Sequence, residues 1–206
     1  MNEIIEGIIT GVQQTTLLEF IATIMGVASV FCSMQRSVWV YPTGIVSVVI
    51  YVYLAATYKL YADAGVNFYY FLMSIYGWYN WASGEMETGQ VLVTVNNFKE
   101  NLISLAILVV SFVTLSQILD NFTDSDVPYW DAATTSFAIL GMWLMARKKL
   151  ENWIAWIITD ILSVPLYFHK GLVFTSFQFA IFTIMATIGF FIWRSSLKKR
   201  NQASVV

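Results

Sequence analysis

Asp160 carries the sharpest chemical implication in this chain. It stands midway along the apolar run 152–168, and no other acid falls so deep in such a run. In hydrocarbon a carboxylate costs at least about 2.5–3.5 kcal/mol, so such a group usually faces a protein interior and serves a function. The structural alternative is an acid satisfied by neighbouring Ser and Thr hydroxyls. Trp153, Trp156, Asp160, Ser163 and Tyr167 recur at spacings of 3, 4, 3 and 4, which puts all five on one helical face. Ile154, Ile158, Ile161 and Leu162 take the other side, suited to lipid or to packing. A second stripe reads Asn67, Phe71, Ser74, Trp78 and Trp81, with Asn80 beside its end. Gln178, Phe182, Met185 and Gly189 form a third, and Thr43, Ser47 and Tyr51 a fourth. Together they predict a cavity with aromatic walls and a few amide, hydroxyl and carboxylate groups, a lining suited to a small, flat, polar ligand.

Plainer readings compete with this one. Most of the tryptophans gather in one half of the predicted spans and many tyrosines in the other, as aromatic belts at two membrane interfaces would place them. The belt is the favoured reading for Trp39 and Trp193; for Trp78 and Trp156 it stands level with ligand contact. Lys59, His169 and Lys170 read as snorkelling interfacial groups. Gly26, Gly77, Gly141 and Gly189 read as sites of close helix contact, and Pro42 and Pro165 as kinks. One cysteine and one histidine leave no disulfide framework, metal cluster or nucleophile–base set. No phosphate-binding glycine loop is present. The expectation is therefore no metal, no cofactor and no enzyme.

The elements that must hold these residues follow from composition. Of 206 residues 58% are apolar and only 12% charged, about half the charge of an ordinary soluble domain. That excludes a disordered chain, a nucleic-acid binder and an ordinary cytosolic enzyme. It implies an all-α polytopic membrane protein whose partner is the lipid bilayer. At roughly 20 residues per crossing, seven spans are expected near 17–35, 38–58, 67–83, 102–119, 131–147, 152–168 and 173–194. The acidic start, Met1 to Glu6, lacks the basic-then-apolar order of a cleaved leader. With the N-terminus outside, Arg36, Lys99, Arg147, Lys148, Lys149, Arg194, Lys198, Lys199 and Arg200 all fall inside, leaving Lys59 and Lys170 outside. The positive-inside rule therefore predicts N-out and C-in.

An internal repeat is expected as well. Gly26, Trp39, Lys59, Gly77 and Trp81 find a matching series in Gly141, Trp153, Lys170, Gly189 and Trp193, and both series close on G-x-x-x-W. The predicted division is a lead-in over 1–16, a three-helix repeat over 17–83, a connecting segment with a linker helix over 84–130, a second repeat over 131–194, and a basic tail over 195–206. One intervening span makes the two triplets parallel, a 3+1+3 plan in which substrate sits between the halves.

The runs Arg36-Ser37-Val38-Trp39-Val40-Tyr41-Pro42-Thr43-Gly44, Tyr58-Lys59-Leu60-Tyr61-Ala62-Asp63 and Tyr76-Gly77-Trp78-Tyr79-Asn80-Trp81 resemble the PnuC family of bacterial vitamin transporters. So do Glu151-Asn152-Trp153-Ile154-Ala155-Trp156, Asp160, Leu166-Tyr167-Phe168-His169-Lys170-Gly171, Gly189 and Trp193. The second closing motif, Gly189-Phe190-Phe191-Ile192-Trp193, lacks the Trp and Asn of the first. The resemblance implies uptake of nicotinamide riboside across the bacterial inner membrane, in a fold similar in plan to SWEET transporters. It implies facilitated diffusion, with the riboside trapped by a cytosolic ribosylnicotinamide kinase and used for pyridine nucleotide synthesis. Relatives carry other B vitamins such as thiamine and riboflavin. The residues suit a flat pyridinium cation, which aromatic faces attract. Trp78, Trp153 and Trp156 would supply those faces, and Asp160 the counter-charge or a partner for the ribose hydroxyls. Asn80, Asn152, Ser163, Gln178 and Ser47 would meet the carboxamide and ribose. An ion-coupled transporter using Asp160 as its proton carrier is the alternative, and self-association stays open.

Overall fold

The computed structural model describes residues 16–203 apart from 59, 84, 85 and 88. The lead-in over 1–15 and Lys59 lie outside the described residues. Seven helices account for nearly all of the rest: α1 (Leu17–Met34), α2 (Val40–Thr57), α3 (Tyr61–Ala82), α4 (Phe98–Phe122), α5 (Pro128–Ala146), α6 (Asn152–His169) and α7 (Val173–Ala203). Between α3 and α4 lies a small hairpin, β1 (Met86–Glu87) with β2 (Gln90–Val91).

Local chemistry sets the helix ends. Thr16 and Glu19 form a capping box at α1, and Asn97 and Glu100 another at α4, each satisfying otherwise orphaned backbone N–H groups. Pro128 opens α5, where its missing N–H costs nothing. Pro42 also falls in a first turn, that of α2, so the kink expected there has no cause. Pro165 does sit inside α6. The span expected near 67–83 begins earlier, at Tyr61, with Asp63 in the first turn, where the helix dipole favours an acid. The basic tail continues α7 as helix to Ala203.

α1, α2, α4 and α7 are long and apolar enough to cross a membrane. α4 has the highest mean hydropathy of the four, 2.4. α3, α5 and α6 are less apolar because they carry the polar residues that face inward. Neighbours pack in a closed ring, α1 on α2, α2 on α3, α3 on α5, α5 on α6, α6 on α7 and α7 back on α1, with α4 outside it against α5. One end of the bundle carries the α1–α2 and α5–α6 corners and the basic tail. The other carries Asp63, Asp131 and Lys170, the last two joined by a 2.6 Å ion pair.

At the basic end an aromatic plug is built from Tyr41, Trp81, Trp153 and Trp193, each at most 2% exposed. Tyr41 meets Trp81 edge-on at 5.3 Å, and Trp153 meets Trp193 edge-on at 5.6 Å. The Trp81 indole donates to the Met145 carbonyl at 3.0 Å, and the Trp193 indole to that of Ser33 at 2.9 Å. Trp193 is thus a core residue, not the belt residue expected: an indole at the bundle axis finds a backbone acceptor as good as interfacial water. Trp39, 69% exposed, stands where a belt residue would.

The connector after α3 crosses this end. The Val91 N–H donates to the Arg36 carbonyl and the Thr94 N–H to the Lys148 carbonyl, at 3.0 and 2.9 Å. Arg36 and Lys148 are the two non-glycine residues with positive φ among the described residues, at 56° and 62°. Val91 and Val93 are buried against the plug.

Candidate functional site

A cavity of about 560 Å³ lies inside the ring. It runs from Asp63 and Thr175 near the acidic end to Ser33, Met145, Tyr41 and Trp153 above the plug. α6 contributes Trp153, Trp156, Thr159, Asp160, Ser163 and Tyr167. The whole polar-aromatic stripe expected on this helix therefore faces one space, because its 3–4 spacing leaves the set one side of the helix.

Asp160 is 5% exposed and lines the cavity wall. No side chain among the described residues hydrogen-bonds its carboxylate, and the described residues of the cavity lining include no Lys or Arg. The neighbouring Thr159 spends its hydroxyl on the Ala155 carbonyl at 3.0 Å. The structural alternative, an acid satisfied by nearby hydroxyls, thus finds no support in the hydrogen bonds of this wall.

Aromatic rings surround the acid. Tyr70 and Trp156 approach at 6.5 Å, and Tyr167 stacks on Phe179 at 5.0 Å with planes 8° apart. Glycines let the large rings in. A Cβ on Gly189 would fall 2.6 Å from Trp153, one on Gly77 2.5 Å from Tyr41, and one on Gly141 2.9 Å from Trp156. Two polar atoms in the lining residues, the Tyr41 hydroxyl and the Trp153 indole N–H, are buried without a partner in the described structure. Leaving such a donor unpaired is costly.

Six of the nine expected site residues line this cavity: Asp160, Trp156, Trp153, Ser163, Gln178 and Ser47. Three do not. Trp78 follows Gly77 on the outer flank of α3 and is 43% exposed. The lining side of α3 is Asp63, Val66, Asn67, Tyr70 and Ser74. Asn80 donates to the Ala146 carbonyl at 2.7 Å and borders a separate cavity at the basic end. Asn152 is fully buried and donates to the Lys149 carbonyl at 2.6 Å. Tyr41, Tyr70 and Asp63 line the cavity without having been expected there. Tyr41 lies in the motif Val40-Tyr41-Pro42 and Tyr70 lies seven before Gly77, signals that spacing alone does not separate from packing.

The lining has an internal correspondence. Ala22, Thr23, Val30, Ser33, Tyr41, Ser47, Tyr51, Asp63, Tyr70 and Ser74 line it; so do the residues 112 positions later, Thr134, Thr135, Met142, Met145, Trp153, Thr159, Ser163, Thr175, Phe182 and Ala186. The same offset joins Arg36 to Lys148, Gly77 to Gly189 and Trp81 to Trp193. Ser33 and Met145 also touch each other, with the Ser33 hydroxyl 3.6 Å from the Met145 sulfur. Tyr41, not Trp39, therefore answers to Trp153.

A family model described as nicotinamide mononucleotide transporter matches residues 16–195. Among curated relatives, the nicotinamide riboside transporter PnuC of Escherichia coli strain K12 is 24% identical, covering 91% of this chain and 89% of its own. The riboflavin/roseoflavin transporter RibM of Streptomyces davaonensis is 27% identical, covering 85% and 83%. Among solved structures, the crystal structure of the vitamin B3 transporter PnuC superposes with a TM-score of 0.73 at 22% identity, over 96% of this chain and 89% of that one.

Proposed function

The chain belongs to the nicotinamide mononucleotide transporter family, and from that membership we propose that it takes up nicotinamide riboside across the bacterial inner membrane. The carrying observation is the cavity itself: aromatic walls, one buried unpartnered carboxylate, and no cation among the described lining residues. The pyridinium ring stacks among Trp156, Tyr70 and Tyr167, and Asp160 balances its charge. Ser163, Gln178 and Ser47 hydrogen-bond ribose and carboxamide. Its volume lies in the range of small-molecule sites.

The protein is a carrier and not an enzyme in this reading. Transport is facilitated diffusion through alternating opening of the two ends, and cytosolic phosphorylation traps the product. A 3+1+3 plan with two parallel triplets supports that cycle. The ring order and the 112-residue correspondence of lining residues favour this plan, with α4 as the odd helix that restores direction. The basic end faces the cytosol by the positive-inside rule, giving N-out and C-in.

Thermal-shift titration of the purified protein against nicotinamide riboside, thiamine and riboflavin tests the substrate. The riboside should give the largest stabilisation. A larger shift with riboflavin would favour the second reading, another B vitamin, which the RibM relative motivates.

A further inference from the structure

The basic end holds a second cavity, of about 500 Å³, separate from the central one. Four cations, Arg147, Lys148, Lys149 and Arg200, border it together with Tyr76 and Thr94. One carboxylate answers them: Glu100 bonds Lys149 at 2.8 Å and Arg147 at 3.1 Å. Lys148 and Arg200 meet no carboxylate among the described residues. Burial lowers the Lys148 ammonium from its ordinary value, the mark of a charge partly stripped of water without an anion to replace it.

A rule of orientation accounts for basic residues at this end, but not for four of them converging on one cavity with one acid. Like charges brought together repel, and dispersing them would serve orientation equally well. The corner 112 positions earlier makes the comparison. Arg36 shares the left-handed backbone of Lys148, but its guanidinium is taken up by the Gln90 amide oxygen. At Lys148 the connector supplies only backbone, the Thr94 N–H, and the ammonium is left for something else.

The cavity also has an aromatic wall. Tyr76 is 43% exposed and stacks on Trp143 at 6.4 Å with planes 10° apart, while Arg147 covers Trp143 at 5.4 Å. That stack fixes the Tyr76 ring and leaves it accessible to a flat group. We propose that the basic end carries a second, non-transport site for a nucleoside phosphate. Lys148 and Arg200 hold the phosphate, and Tyr76 supports the ring. Leu92 and Thr94 of the connector border the same cavity, so an occupied site adds to the hold of the connector on the α5–α6 corner. The proposal does not depend on what the central cavity carries.

The test is titration of full-length protein in nanodiscs of neutral phosphatidylcholine with nicotinamide mononucleotide, adenosine monophosphate and inorganic phosphate. Both nucleotides should bind more tightly than phosphate. The Lys148→Gln/Arg200→Gln variant should lose at least tenfold in nucleotide affinity, while Asp160→Asn should not. Tyr76→Ala should abolish the preference for nucleotide over phosphate. The melting temperature and riboside binding of the basic-end variants serve as folding controls, and Lys148→Arg should retain nucleotide binding. Absence of nucleotide binding at millimolar concentration, or binding that survives the double variant, overturns the proposal. So does an effect of the double variant that requires phosphatidylglycerol in the disc, which would assign these cations to a lipid headgroup. A failed riboside reading would instead show in the central-cavity variants alone.

Discussion

At the residue scale the central question is what Asp160 does without a protein partner. Charge-assisted contacts are worth about 1.5–3 kcal/mol each, or roughly 10–100-fold in affinity. Asp160→Asn keeps shape and deletes charge, so riboside affinity should fall by about that factor, read by calorimetry, with the melting temperature unchanged. Equal affinity in the variant would make the acid structural. Tyr41→Phe removes only the unpartnered hydroxyl. It should leave the melting temperature of the free protein unchanged or raised, because no intramolecular hydrogen bond is lost. Gly189→Ala forces a methyl against the Trp153 ring, an overpacking cost of about 1–3 kcal/mol. A lowered melting temperature in detergent would register it; an unchanged one would mean that the plug yields easily. The α6 stripe was legible because 3–4 spacing alone assigns a face. Trp78 was not, since it lies near the lining stripe of α3 by spacing, and only tertiary packing decides which flank meets a neighbour.

At the element scale, helices were easier to read than what joins them. Long apolar runs announce themselves, whereas the connector looked like plain polar linker. The missed signal was the alternation Val91-Leu92-Val93-Thr94, a two-residue period that sends Val91 and Val93 inward. The connector is bolted to both corners, at the second through more than the Thr94 N–H. There the Leu150 N–H also donates to Thr94, and the Asn96 N–H to the Glu151 carboxylate. At the first corner the Val91 N–H meets the Arg36 carbonyl and the Arg36 guanidinium meets the Gln90 side chain, and opening of this end during transport would part these. In a Cys32→Ser background, joining Arg36→Cys to Gln90→Cys by oxidation should block riboside flux, and reduction should restore it. Joining Thr94→Cys to Lys149→Cys should leave flux intact. Full flux with the first pair demonstrably crosslinked would count against a moving connector.

At the scale of the whole molecule, the correspondence at 112 positions was visible in sequence only as scattered landmarks. Gly26 with Gly141 and Trp39 with Trp153 were each a few residues out of register, because residue types differ at positions 112 apart: Gly26 answers to Ala138 and Tyr41 to Trp153. Selectivity belongs to this scale too. A phosphate carries about −1.5 to −2 charge near neutral pH, and the described residues of the central lining offer it two acids, Asp63 and Asp160, and no cation. Purified protein in liposomes should therefore equilibrate riboside and exclude nicotinamide mononucleotide. Comparable mononucleotide flux would defeat the electrostatic argument, and riboside accumulation driven by an imposed proton gradient would make Asp160 a proton carrier. The ring itself has a consequence for biogenesis. It closes where α7 meets α1, through a hydrogen bond between residues 160 positions apart, Trp193 and Ser33. A ribosome that has delivered only six helices has inserted an open arc, with Asp160 turned toward lipid rather than toward a seventh neighbour. Sealing of the barrier therefore waits for the last helix to be made. A chain stopped before Val173 is a substrate for membrane quality control, not a slower transporter.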